Sequence, residues 1–229
     1  MNANAPAPAA VLWDMDGTLI DSEPYWIEAE MALAAQFGAA WTHEDGLTLV
    51  GQPLETSGRI LQDRGVDLEV GQIVESLLAR VSEQVRAHVP WQDDARVLLD
   101  AVVTAGIPCA LVTMSYTRLA NAFLAHAPDA FAVVVTGDRV ARGKPDPEAY
   151  LVAAAELGVD VERCVAIEDS PAGIGSAHAS GARTIAVRRH VPIPALPGLS
   201  RLRSLEGLDV DALRRIAAGA VVDELGDEG

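Results

Sequence analysis

The apolar residues of this chain change their period several times. AAVLW (9–13) is an unbroken apolar run of the length of a buried strand. In the next segment, EPYWIEAEMALAAQF, Trp26, Leu33 and Phe37 fall seven and four residues apart, the spacing of one helix face. Pro24 stands in the first turn of that helix and Gly38 just past its end. A second helix is predicted from Pro53 to Gly65. A third, from about Gly71 to His88, carries Val74, Leu77, Leu78, Val81 and Val85 at i, i+3, i+4 spacing. No strand-like run interrupts residues 23–89, which are expected to form a helical insert.

From residue 90 the pattern alternates. A helix capped by Asp93 or Asp94 is expected to end at Gly106, and IPCALVT (107–113) reads as a buried strand. A helix over 116–126 leads to FAVVVT (131–136). Another, 147–157, ends at Gly158 and leads to CVAIED (164–169), and a further one ends at Gly181 before RTIAV (183–187). Continuous apolar strands separated by helices predict a parallel sheet covered on both faces. The expected class is therefore α/β: a Rossmann-like parallel-sheet core from residues 1–22 and 90–229, with a helical-bundle domain, residues 23–89, inserted after the first strand. The leader MNANAPAPAA and the acidic tail GDEG are expected to lack regular structure.

Charge narrows the function. Seventeen basic against 33 acidic residues give a net charge of −16, which repels nucleic acid and anionic lipid over most of the surface. No apolar run approaches the ~20 residues of a membrane span, and the leader, which has no basic residue, is not expected to act as a secretory signal. Cys109 and Cys164 each lie in an apolar segment, as buried free thiols do; a disulfide framework or zinc site needs more cysteines or patterned histidines. A cytoplasmic protein, monomeric or weakly dimeric, is expected. An anionic small molecule remains a possible partner if the site carries its own positive charge. Lys144, in RGKPDP, is the only lysine; every other basic residue is an arginine.

The candidate chemistry sits where strands end. The first strand meets Asp14 and Asp16, one residue apart; two such charges at ~4 Å repel by about 4 kcal/mol at an effective dielectric of ~20, which a bound cation would offset. The second strand ends in Thr113 and Ser115, the fourth in Glu168 and Asp169, and Lys144 precedes the helix leading to the fourth. Open parallel sheets bind ligands beyond the carboxyl ends of their strands. A lone acid after a strand is often only a helix cap, and Asp93, Asp94, Asp146 and Asp160 are read so. Four segments converging on one edge need more than capping.

This set resembles the haloacid dehalogenase superfamily of phosphohydrolases over nearly the whole chain. DMDGTLID matches the first motif, the Thr113 strand end the second, Lys144 in GKPDP the third and EDSPAGI (168–174) the fourth. The insert looks like the small helical cap of the branch containing phosphoglycolate phosphatase and β-phosphoglucomutase. The resemblance implies that Asp14 attacks phosphorus and becomes an aspartyl phosphate, while Asp16 serves the leaving alcohol as acid and the incoming water as base. Gly17 would permit the tight turn, and Thr18, counted among the substrate-side residues, would hydrogen-bond Asp16. Lys144 and Thr113, with the backbone N–H groups of Met114 and Ser115, would hold the phosphoryl oxygens.

Asp14, Glu168 and Asp169 contribute about −3 and a phosphate dianion about −2, against +1 from Lys144, so Mg2+ is the expected cofactor. The implied ligands are Asp14, the Asp16 carbonyl and Asp169, with Glu168 behind them. Arg59, in the insert, is a candidate for the distal end of a small phosphorylated metabolite, although a solvated helix face explains it as well.

The leading expectation is a Mg2+-dependent phosphomonoesterase. The alternative within the family is a sugar phosphomutase, although Trp26 stands where many such chains carry a histidine. A receiver-like binding module would also gather acids, a hydroxyl and a lysine, but it has no helical insert. GIG (173–175) is not a dinucleotide fingerprint, because the third glycine's place is taken by His178; close packing of a helix start explains these glycines better.

Overall fold

The computed structural model describes residues 6–50 and 52–226. Residues 1–5 of the leader and 227–229 of the tail lie outside the described residues. The strands are β1 (Val11–Trp13), β2 (Cys109–Val112), β3 (Val133–Val135), β4 (Val165–Glu168), β5 (Arg183–Val187) and β6 (Ser200–Leu202). The helices are α1 (Glu23–Gln36), α2 (His43–Leu47), α3 (Leu54–Asp63), α4 (Val70–Ala87), α5 (Asp93–Thr104), α6 (Thr117–Leu124), α7 (Glu148–Leu157), α8 (Pro171–Ala179) and α9 (Val210–Ala217).

The strands form one sheet in the order β3-β2-β1-β4-β5-β6, each neighbouring pair parallel. Every residue of β1, β2 and β4 is buried, as a sheet covered on both faces requires. Strand order reverses between β1 and β4. Trp13 stands opposite both Leu111 and Ile167, so the residues after β1 and at the end of β4 emerge side by side at this switch point, where open α/β sheets leave a crevice. On one face, Leu12, Ala110, Val112 and Ala166 pack with Tyr150 and Ala153 of α7; burying a side chain the size of Leu or Val contributes about 1.5–3 kcal/mol. The chain leaves α7 through Gly158, whose φ of 70° is the left-handed conformation a helix end favours.

The chain divides into two compact units. One carries the sheet: residues up to Ile20, Trp91–Thr117, and those from Ala127 on; the other comprises Asp21–Pro90 and Arg118–His126. The helical unit thus takes in most of α6, which pattern alone placed with the core. Arg118 pairs with Glu75 of α4, and the His126 ring meets the Arg86 carbonyl at 2.8 Å. Within this unit α4 packs against α1 and α3, burying Val74, Leu77, Leu78, Val81 and Val85.

The structure differs from the sequence expectation in four places. The buried face of α1 runs through Ile27, Glu30, Leu33 and Ala34, whereas Phe37 falls after the last turn and is exposed. The short helix α2 was not anticipated; Thr42 and Asp45 form its reciprocal cap. β6 and α9 extend the core beyond the last predicted strand. Finally, α5 begins at Asp93 with Gln92 in the cap position and no side-chain cap; Asp94 turns inward instead. Asp160 does act as a cap, accepting from the Glu162 N–H at 3.0 Å. Both cysteines are buried free thiols. Among the described residues no helix is long and apolar enough to cross a membrane.

Candidate active site

The turn after β1 is built around Gly17. The Asp14 N–H donates to the Ile167 carbonyl (3.1 Å), tying the strand end to β4, and the chain then folds back as Leu19 and Ile20 donate to the Met15 carbonyl (2.9 and 3.0 Å). Gly17 has φ +90°, and a β-carbon there would fall 2.1 Å from Asp169 Oδ2. Both the backbone conformation and the space therefore require glycine.

Asp14, Glu168 and Asp169 are buried, and each offers a carboxylate oxygen within 4.8 Å of the others. Lys144 lies among them. Its ammonium donates to Asp14 Oδ1 (2.6 Å), Glu168 Oε1 (2.6 Å) and the Val112 carbonyl (2.8 Å). The Tyr150 hydroxyl also donates to Glu168 Oε1 (3.0 Å), and its ring centroid is 5.2 Å from the ammonium. Glu168 Oε2 accepts from the Asp169 and Ser170 N–H groups and the Ser170 hydroxyl at 3.0, 3.2 and 3.2 Å. These five donors meet a carboxylate with roughly four lone-pair sites. Glu168, counted among the metal-binding residues from sequence, also anchors Lys144 and the start of α8.

Electrostatics follow from that packing. Burial first, and then the neighbouring Glu168, hold the Asp14 carboxyl well above its ordinary range. The same causes raise Asp169 to about 7, against the opposing Thr18 hydroxyl bond. Burial works against the charge of Lys144, but Asp14 and Glu168 outweigh it and keep the ammonium above its usual range. Three buried carboxylates facing one ammonium form an anionic, oxygen-only donor set, which suits a hard divalent cation such as Mg2+. Each of the three offers one carboxylate oxygen to such a cation, and Asp14 and Asp169 carry fewer hydrogen bonds from the protein than Glu168.

The hydroxyls are arranged differently from expectation. The Thr18 hydroxyl, expected at Asp16, is fully buried and donates to Asp169 Oδ1 at 2.9 Å, where it braces that carboxylate. Asp16 Oδ2 is met from β2 instead, by the hydroxyls of Thr113 (3.2 Å) and Ser115 (2.8 Å). The Ser115 N–H donates to Thr113 Oγ1 (2.9 Å), and the Met114 sulfur accepts from the Lys144 N–H (3.2 Å). Arg59, exposed on α3, is the one expected site residue that belongs to the helical unit.

Periodicity missed Tyr150 because a tyrosine in an apolar helix face reads as packing; only the fold shows its hydroxyl beneath Lys144. Ser170 was missed as well, although a serine before a proline at a helix start is a cap signature; its hydroxyl accepts from the Gly173 N–H (3.0 Å). Asp94 and Arg189 were missed as a pair. Arg189 donates twice to Asp94 (3.0 and 2.7 Å), which also accepts from the Ser204 hydroxyl and the Leu205 N–H (2.7 and 2.8 Å). Asp94 thereby staples the start of α5 to the segments that follow β5 and β6.

Comparison with known proteins agrees with this geometry. The profile of the family described as haloacid dehalogenase-like hydrolase matches residues 11–187. Hexitol phosphatase A of Escherichia coli (strain K12) is 36% identical over 206 residues, covering 87% of this chain and 92% of that protein. The phosphorylated carbohydrates phosphatase of Thermotoga maritima is 33% identical over 182 residues, 77% of this chain and 83% of that one. Among solved structures, a mutant of CbbY from Rhodobacter sphaeroides in complex with xylulose-(1,5)bisphosphate is similar with a TM-score of 0.78 at 26% identity, over 89% of this chain and 96% of that one. Sheet order, motif order and sequence similarity coincide, and the chain belongs to the haloacid dehalogenase-like hydrolases, in their cap-containing branch.

Proposed function

We propose that the protein is a Mg2+-dependent phosphatase that hydrolyses a small sugar or polyol phosphate through an aspartyl phosphate at Asp14. As a member of its family it is a phosphoric monoester hydrolase; the metal, the intermediate and the substrate class are the finer reading. The observation that carries it is the position of Asp14 at the switch point, 2.6 Å from the Lys144 ammonium and grouped with Asp169.

In this reading a carboxylate oxygen of Asp14 attacks phosphorus and the bond to the ester oxygen breaks. Asp16 gives its proton to the departing alcohol. It then takes a proton from the water that attacks the aspartyl phosphate, which releases phosphate and restores Asp14. Lys144 offsets charge on Asp14 and on the phosphoryl group, and the backbone N–H groups of Met114 and Ser115 orient the phosphoryl oxygens. Asp14, Asp169 and the Asp16 carbonyl would hold Mg2+, which supplies charge neutralisation to the phosphoryl oxygens when bound. The helical insert, residues 23–89 with Arg59, serves as the cap domain that selects the substrate. The relatives named for hexitol and carbohydrate phosphates support a polyhydroxylated substrate.

A panel of sugar and polyol phosphates, assayed with Mg2+ and with EDTA, tests this directly. Phosphate release is expected only with the metal, and Asp14→Asn should abolish it. Undiminished turnover by that variant, or metal-independent turnover, would overturn the reading. Phosphoryl transfer from glucose 1,6-bisphosphate without phosphate release would reassign the enzyme as a mutase.

A further inference from the structure

The Lys144 ammonium has three protons and meets three acceptors. It donates to Asp14 Oδ1 and Glu168 Oε1, both at 2.6 Å, and to the Val112 carbonyl at 2.8 Å. Two buried carboxylates therefore share one cation at equal distance, and that division sets how much positive charge stands beside Asp14. The two oxygens of Glu168 are held in different ways. Oε2 accepts from the Asp169 and Ser170 N–H groups and from the Ser170 hydroxyl. Among the described residues, Oε1 accepts from Lys144 and from the Tyr150 hydroxyl, the latter at 3.0 Å.

Tyr150 is fully buried on α7. A buried phenol needs some partner; this one takes the oxygen that also carries the ammonium, and its ring centroid lies 5.2 Å from Lys144 Nζ. Donors on one carboxylate oxygen draw on the same negative charge, so the neutral hydroxyl weakens the pull of Glu168 on the cation. We infer that Tyr150 is a positioning residue for Lys144: its hydroxyl, bonded to Glu168, keeps the ammonium shared with Asp14 instead of drawn to Glu168. This rests on the reading above that Asp14 attacks phosphorus, because a cation beside Asp14 offsets its repulsion of a phosphate dianion.

Tyr150→Phe keeps the ring and removes only the hydroxyl. Lys144 is the only lysine, so protein labelled with nitrogen-15 at the lysine side-chain nitrogen gives a single ammonium signal by NMR. An ammonium whose protons are all bonded inside the protein exchanges them slowly with water. Ala153→Gly is the control. It removes a buried methyl group from the same helix and weakens that helix, while leaving the Tyr150 hydroxyl in place.

The experiment records the ammonium signal of wild type and both variants with Mg2+, together with kcat/KM on 4-nitrophenyl phosphate. Wild type should show one slowly exchanging signal. In Tyr150→Phe the signal should shift and exchange about ten-fold faster, and kcat/KM should fall about ten-fold, the scale set by one hydrogen bond at the reacting pair. Ala153→Gly should leave the signal in place and kcat/KM within about two-fold of wild type. Equal responses in the two variants would make Tyr150 a packing residue and overturn the inference. An unmoved signal or unchanged kcat/KM in Tyr150→Phe would overturn it too, as would the absence of a slowly exchanging ammonium in wild type. A wild type that hydrolyses no phosphate ester would instead remove the phosphatase reading, and the ammonium signal would then decide the sharing of Lys144 by itself.

Discussion

The backbone of Gly173 lies directly against the carboxylate of Glu168: a β-carbon at position 173 would fall 1.7 Å from Oε1. That oxygen carries Lys144 and Tyr150, so the packing of α8 sets the position of the ammonium. Gly173→Ala is expected to destabilise the fold by about 1–3 kcal/mol through overpacking and to lower kcat/KM by about 100-fold by displacing Lys144. Gly175→Ala is the control. Its β-carbon would meet Pro145 at 3.7 Å, an ordinary contact, and the exchange should be neutral or stabilising by up to ~1 kcal/mol. Denaturant unfolding and steady-state kinetics on the two variants check both statements.

Asp94 accepts two bonds from Arg189 and one each from Ser204 and Leu205, and these donors hold its carboxyl at about 2 although burial opposes its charge. Asp94→Ala strands a largely buried guanidinium and two further donors. A loss of about 3 kcal/mol is expected, in the range for breaking one side of a buried ion pair, and equilibrium unfolding at neutral pH measures it.

The sequence already carried the sheet-bearing core and its edge of polar residues, because buried parallel strands are continuous apolar runs and their ends are abrupt. Asp14, Lys144, Glu168 and Asp169 were legible as one group for that reason. The wiring among them was not. Thr18 is as close in sequence to Asp16 as to any acid, yet it reaches Asp169, 151 residues away, because the Gly17 turn points it across the switch point. β6 was hidden by Arg201, a charged residue in mid-strand that is buried by bonding Asp223 at 2.6 Å and the Gly226 carbonyl. A charge at that position reads as a loop until its partner is known.

Glu30 gives the helical unit a pH dependence of its own. It is 4% exposed on α1. Burial pushes its carboxyl up to about 7, opposed by the Trp41 ring N–H (3.3 Å) and reinforced by Glu23. A carboxyl whose pKa is higher folded than unfolded binds its proton more tightly in the native state. Its contribution is therefore complete below the unfolded value of ~4.3 and is lost as pH rises through about 7. Between pH 5 and pH 8 this one group should cost the wild type roughly 3 kcal/mol relative to Glu30→Gln, which carries no titrating proton. Urea unfolding of both proteins at the two pH values gives the difference, and an equal pH response in both would exclude Glu30 as its source.

Transfer of phosphorus to Asp14 is the claim from which the rest follows. Borohydride reduces an acyl phosphate to an alcohol, so quenching the enzyme with it during turnover of a phosphate ester converts a phosphorylated aspartate to homoserine, which peptide mass spectrometry locates. Homoserine is expected at position 14, only in the presence of substrate and Mg2+. Modification at a different residue, or an unmodified Asp14 under conditions of rapid phosphate release, would contradict it.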